Sequence, residues 1–108
     1  MKLVMAIVND EDGNDVISEL SKNKFSVTKL ATTGGFLKSG NMTLITGVDD
    51  DAVQNVIDII EKKSKRRKQI TASPIPIGAS ASFKPYPIEV EVGGATIFVL
   101  DVDRFEKV

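Results

Sequence analysis

The feature that most constrains this chain is its first segment. From Lys2 to Val8, Leu3, Met5 and Ile7 alternate with Val4, Ala6 and Val8, so both faces of an extended segment are apolar. A strand of that kind belongs inside a sheet, with cover on both sides. The rest of the chain must then supply flanking strands and a covering layer. Asn9-Asp10-Glu11-Asp12 carries turn and N-cap chemistry. Val16, Ile17 and Leu20 follow at helical spacing, and Asn23 and Lys24 end that helix. Phe25 to Thr32 alternates as a strand with mixed faces and breaks at Thr33-Gly34-Gly35. Ser39-Gly40-Asn41 is a second turn signal, and Met42 to Val48 is the next strand. Asp49 to Asp51 opens a second helix, where carboxylates suit the positive end of the dipole. Val53, Val56, Ile57 and Ile60 form its apolar stripe, and the helix is expected to end in the basic run Lys62 to Lys68.

The order so far is βαββα. Ala95 to Val102, rich in β-formers, supplies the last strand. The expected fold class is α+β, a ferredoxin-like βαββαβ arrangement. Before the last strand lies a long connection, Gln69 to Gly94. It contains Pro74, Pro76, Pro85 and Pro87 and the small-residue run Gly78 to Ser82. A connection of this length is usually functional or mobile. Within it, Ile88, Val90 and Val92 alternate with Glu89 and Glu91, which predicts a short strand or ribbon. No repeat or internal boundary is visible, so residues 1–108 read as a single domain.

Composition excludes more than it suggests. The chain has neither Cys nor His, which removes thiolate chemistry, disulfides, the commonest general base and the commonest metal ligand. A formal net charge of -1 argues against a nucleic-acid partner. The apolar start runs straight into acidic residues without the layout of a signal peptide. No apolar run approaches about 20 residues, so no membrane segment is expected, and the expected location is cytoplasmic.

Three segments could carry chemistry. In Thr32 to Asn41, glycines let backbone N–H groups approach an anion, while Phe36 and Leu37 offer a surface for a flat ring. The alternative is a hairpin loop that needs glycine for its backbone, but an apolar pair between glycines has no obvious core register. The segment lacks Walker A order, so a P-loop hydrolase is not expected. The basic run Lys62 to Lys68 could attract phosphate, RNA or an acidic partner, but a solvated helix end is the favoured reading because the net charge is not basic. Asp49 to Asp51 is read as capping, with no metal site. Glu89 and Glu91 share one face of a strand and are read as solvent-facing.

The stretches Lys29 to Asn41 (KLATTGGFLKSGN) and Pro85 to Leu100 (PYPIEVEVGGATIFVL) closely resemble the PII-like cyclic-di-AMP receptor proteins of Gram-positive bacteria. The resemblance extends over essentially the whole chain. It implies a PII-like signalling domain that assembles as a homotrimer. Cyclic-di-AMP would bind in clefts between neighbouring subunits, and loop rearrangement would relay the signal to a downstream protein not yet known. It implies no catalysis and no cofactor beyond this ligand. By matching position, the ligand contacts would be Thr28, Gly35, Phe36, Leu37, Asn41, Gly47 and Phe98, with Ser26 and Val27 on the strand that carries Thr28. Amides around Gly35 to Leu37 would donate to a phosphate, Thr28 and Asn41 would read adenine edges, and Phe36, Leu37 and Phe98 would cover a base. For Phe98, core packing is the other reading. The sequence departs from the family at Ser26, where arginine is common, and at Lys38. Serine lacks the charged planar fork, a loss worth about 1–3 kcal/mol for a charge-assisted bond.

Other functions are less well served. An acylphosphatase-like enzyme needs a basic phosphate loop after the first strand, and Asn9 to Asp12 is acidic there. An RNA-binding module needs aromatics on the central strands, and Met1 to Val8 and Met42 to Val48 have none. A PII-type sensor of another nucleotide, such as ATP, remains the alternative.

Overall fold

A computed structural model of the protein describes residues 1–30, 40–72 and 87–108. The elements run β1 (Lys2–Asn9), α1 (Asp10–Lys22), β2 (Thr28–Leu30), β3 (Asn41–Val48), a 3₁₀ turn (Asp50–Ala52), α2 (Val53–Ser64), β4 (Arg67–Ala72), β5 (Pro87–Val92) and β6 (Ala95–Asp101). The main sheet has the order β2-β3-β1-β6, with every neighbouring pair antiparallel. This is the ferredoxin-like fold, with β1 central as its two apolar faces require. The strands β4 and β5 form a separate two-stranded ribbon.

Local chemistry sets the boundaries. Asn9 caps α1, its side chain accepting from the Glu11 N–H at 2.9 Å, and Asp10, Glu11 and Asp12 occupy the positive end of the dipole. At the other end the Asn23 side-chain amide donates to the Glu19 carbonyl at 2.8 Å, and Lys24 turns the chain at φ 68°. Gly13 lies against the end of the Met42 side chain, which would have to shift to admit a Cβ there. Both helices cover one face of the sheet. Val4, Ala6 and Val8 meet Met42, Leu44 and Val48 there, beneath Val16, Leu20, Val56, Ile59 and Ile60, and each is at most 8% exposed. Burying one such aliphatic side chain stabilises the fold by about 1.5–3 kcal/mol.

Two expectations need correction. The second helix does not run through Lys68; it stops at Ser64, and Arg67 and Lys68 belong to β4. Ser64 is buried, its hydroxyl bonded back to the Ile60 carbonyl and its own carbonyl taken by the Gly94 N–H, which leaves no helical partner for the next turn. The second reason is Arg67. It reaches Asp12 through both guanidinium nitrogens, at 2.8 and 3.3 Å, and Asp12 is only 4% exposed. That carboxylate raises the Arg67 pKa above its ordinary value through its hydrogen bond and its charge. The other correction is β2, expected from Phe25, which begins at Thr28. The expected ribbon is present, and its second strand is β5.

Candidate functional site

The register of the sheet decides what its uncovered face presents. Thr28 pairs with Ile45, Ile45 with Met5, and Met5 with Phe98, so these residues form one row across the sheet. Directly paired residues point the same way. The neighbouring rows add Leu3 and Leu100, and Ile7 and Thr96. This face is apolar and largely open. Leu30 is 37%, Leu100 45% and Phe98 51% exposed, whereas the helix-covered face is buried along β1 and β3 and opens only at the β6 edge, where Val99 is 44% exposed. Phe98 therefore stands on the uncovered face, outside the core.

A cleft of about 580 Å³ lies at the margin of that face. Ser26, Thr28, Ile45, Thr46 and Gly47 form one wall, Met1 and Leu3 the floor, and Val102, Phe105, Glu106 and Lys107 the other wall. The buried Thr46 hydroxyl donates to the Ser26 carbonyl at 2.6 Å and fixes the approach to β2. Gly47 is not demanded by the fold. Its backbone needs no positive φ, and a Cβ would meet only the end of the Met1 side chain, at 3.4 Å. Its missing side chain keeps the cleft open. Two ion pairs secure the surroundings. The Met1 amino group meets Asp50 at 2.9 Å and holds that carboxyl below its usual pKa. Lys2 pairs with Asp101, which raises the lysine pKa and ties β1 to β6.

The structure brings together some of the expected contacts and separates others. Ser26, Thr28 and Gly47 share the cleft. The Val27 side chain packs against the core. Asn41 lies at the far end of β3 from Gly47, about 20 Å away at the usual strand rise. There it lines a second hollow of about 190 Å³ with Asn9, Arg66, Thr96 and the Gly93-Gly94 turn. Gly35, Phe36 and Leu37 lie outside the described residues. Phe98 is on the face that carries Thr28, but at the opposite edge, three strand spacings or about 14 Å away. Among the described residues no group of acidic side chains could hold a metal ion, and no helix is long and apolar enough to cross a membrane.

A family model described as the cyclic-di-AMP receptor matches residues 1–108. The chain belongs to the cyclic-di-AMP receptor family. It is also similar to a solved structure, the crystal structure of a functionally unknown protein from Pediococcus pentosaceus ATCC 25745. The two are 43% identical with a TM-score of 0.76, and the match covers 99% of this chain and 96% of that one. A receptor for this ligand needs room for flat bases and partners for two phosphates. The cleft offers apolar walls with hydroxyl and backbone donors. Sequence reasoning missed its second wall. The one available signal was Phe105, an aromatic set between Arg104 and Glu106 with no periodic pattern around it.

Proposed function

We propose that residues 1–108 form one PII-like signalling domain, acting in the cytoplasm, that binds cyclic-di-AMP between the subunits of a homotrimer. Binding is relayed by loop rearrangement to a downstream partner. The observation that carries this reading is the placement of Thr28 and Phe98 on one face at opposite edges of the sheet. One ligand touching both residues is better served by two chains, Phe98 from one and Thr28 from the next. Contact between the β6 edge of one copy and the β2 edge of another is heterologous, and a heterologous contact whose rotation closes gives a ring such as a trimer. An open apolar sheet face with an exposed edge strand also asks for cover by another chain. Within each site, Ser26, Thr28 and Gly47 of one chain line the pocket, Gly35 to Leu37 hold a phosphate and a base face, and Asn41, about 20 Å from Gly47 along β3, reads a base edge from the neighbouring chain. The relay is assigned to segments 31–39 and 73–86, both outside the described residues.

Isothermal titration with cyclic-di-AMP, ATP and cyclic-di-GMP tests this. Saturable heat with cyclic-di-AMP at micromolar protein, and a much weaker response to the other two, is expected. Tighter binding of ATP would replace the proposal with a PII-type ATP sensor.

A further inference from the structure

Asp12 is the one buried carboxylate among the described residues. The start of α1 does not need it there. Asn9 supplies the cap, and Asp10 and Glu11 meet the dipole while exposed. A buried ion pair stabilises little over apolar packing of the same volume, and what it fixes is geometry. Here that is the geometry of the β4-β5 ribbon. Among the described residues, the hydrogen bonds that tie the ribbon to the body lie at its base. Arg67 donates to Asp12 and, at 3.2 Å, to the Lys65 carbonyl, and the Gly94 N–H donates to the Ser64 carbonyl. Gly93 lets these groups close in. Its φ is 84°, and a Cβ would stand 2.7 Å from the Lys65 carbonyl oxygen and 2.8 Å from a guanidinium nitrogen of Arg67. Farther out, Ile70 and Ile88 are exposed, and a two-stranded ribbon is marginal by itself in water. Its stance therefore depends on its base.

The same turn of α1 also holds the start of β3. The Asp10 N–H donates to the Gly40 carbonyl at 2.8 Å, and Asn9 pairs with Asn41 across the sheet. Asn41 in turn shares its hollow with Arg66 and the Gly93-Gly94 turn. One helical turn thus carries two attachments, to the Asn41 end of β3 and to the ribbon.

We infer that the Asp12–Arg67 pair is a positioning clasp that seats the ribbon against the Asn41 end of β3, so that the ribbon's stance and the affinity for cyclic-di-AMP depend on each other. This deepens the proposed function and rests on Asn41 being a ligand contact. Asp12 and Arg67 act through the first turn of α1 and not by touching the ligand. Such coupling is reciprocal: if releasing the ribbon weakens the ligand, the ligand holds the ribbon more firmly by the same factor.

The test is titration of the parent, Asp12→Asn and Arg67→Lys with cyclic-di-AMP, with hydrogen exchange of the β4 and β5 amides read with and without ligand. In the parent, the ligand is expected to slow exchange across both strands. Asp12→Asn keeps the shape and removes the charge. It is expected to weaken binding about tenfold and to abolish that slowing, while exchange in β1 and α2 stays as in the parent. Arg67→Lys keeps the charge without the planar fork and is expected to fall between the two. It leaves Asp12 partnered, so it decides the matter if Asp12→Asn does not fold: parent-like affinity and ribbon response in Arg67→Lys then overturn the inference. Faster ribbon exchange in Asp12→Asn with parent-like affinity also overturns it, reducing the pair to a structural tie with the proposed function intact. So does an affinity loss matched by faster exchange throughout the main sheet. Failure of the parent to bind overturns the proposed function, and the clasp's role with it.

Discussion

The two faces of the main sheet are built from equally apolar residues and end in opposite states. On one face Val4, Ala6, Val8 and Leu44 are at most 2% exposed beneath the helices. On the other, Leu3, Met5, Ile7 and Ile45 are only partly buried, and Phe98 and Leu100 are about half open. The first face is satisfied within one chain along β1 and β3, and only its β6 edge, at Val99, is open. The second carries the composition of a core without the cover of one. That contrast separates what folds the protein from what the protein folds for.

The largest expected effect lies on the covered face. Leu44→Ala should destabilise the fold by about 2–5 kcal/mol, read from the denaturant midpoint, because it leaves a cavity under both helices. A loss near that of an exposed site would dissolve the contrast. On the open face, Met5→Lys places an ammonium at the centre of the surface proposed to be covered. Desolvating it unpaired costs several kcal/mol, about enough to abolish assembly at micromolar concentration. Sedimentation should then show monomers with native circular dichroism, and an unchanged mass would mean that this face is not an interface.

Much of this contrast was legible in the residues. Alternation in Lys2 to Val8 placed β1 at the centre, and the spacing of Val16, Ile17 and Leu20 announced α1, where Val16 and Leu20 are buried and Ile17 partly so. What could not be read depends on distance in the chain. The Asp12–Arg67 pair spans 55 residues, and neither side chain signals the other. Without it, Arg67 and Lys68 look like the end of a basic helix, since β4 offers only Ile70 as a large apolar residue and that side chain is 73% exposed. At the site, the motif resemblance marked Ser26, Thr28 and Gly47, which do meet in one cleft. The opposing wall escaped because Phe105 and Lys107 reach the cleft only through the path of the tail, and no periodicity encodes that path.

Smaller effects sharpen the contrast further. Gly47→Val should leave stability nearly unchanged, since only the Met1 side chain stands near the added Cβ. It should weaken cyclic-di-AMP by about tenfold through lost room in the cleft, measured by titration. Equal losses in stability and affinity would show that Gly47 serves the fold. The smallest effect concerns Asp50. Its pKa is lowered in the folded protein by the Met1 amino group, so its contribution is present above the unfolded carboxylate range and is lost as pH falls through the lower folded value. Asp50→Asn should therefore fall slightly behind the parent in thermal midpoint above about pH 5, and the gap should close as pH falls below the unfolded carboxylate range. The reverse order would place the ion pair elsewhere.

The central claim is that one chain is not enough to hold the messenger. Native mass spectrometry of the protein with cyclic-di-AMP tests this most directly. The prediction is a trimer carrying one ligand for each interface between chains, with no ligand on any residual monomer. A monomer that retains bound cyclic-di-AMP would contradict it.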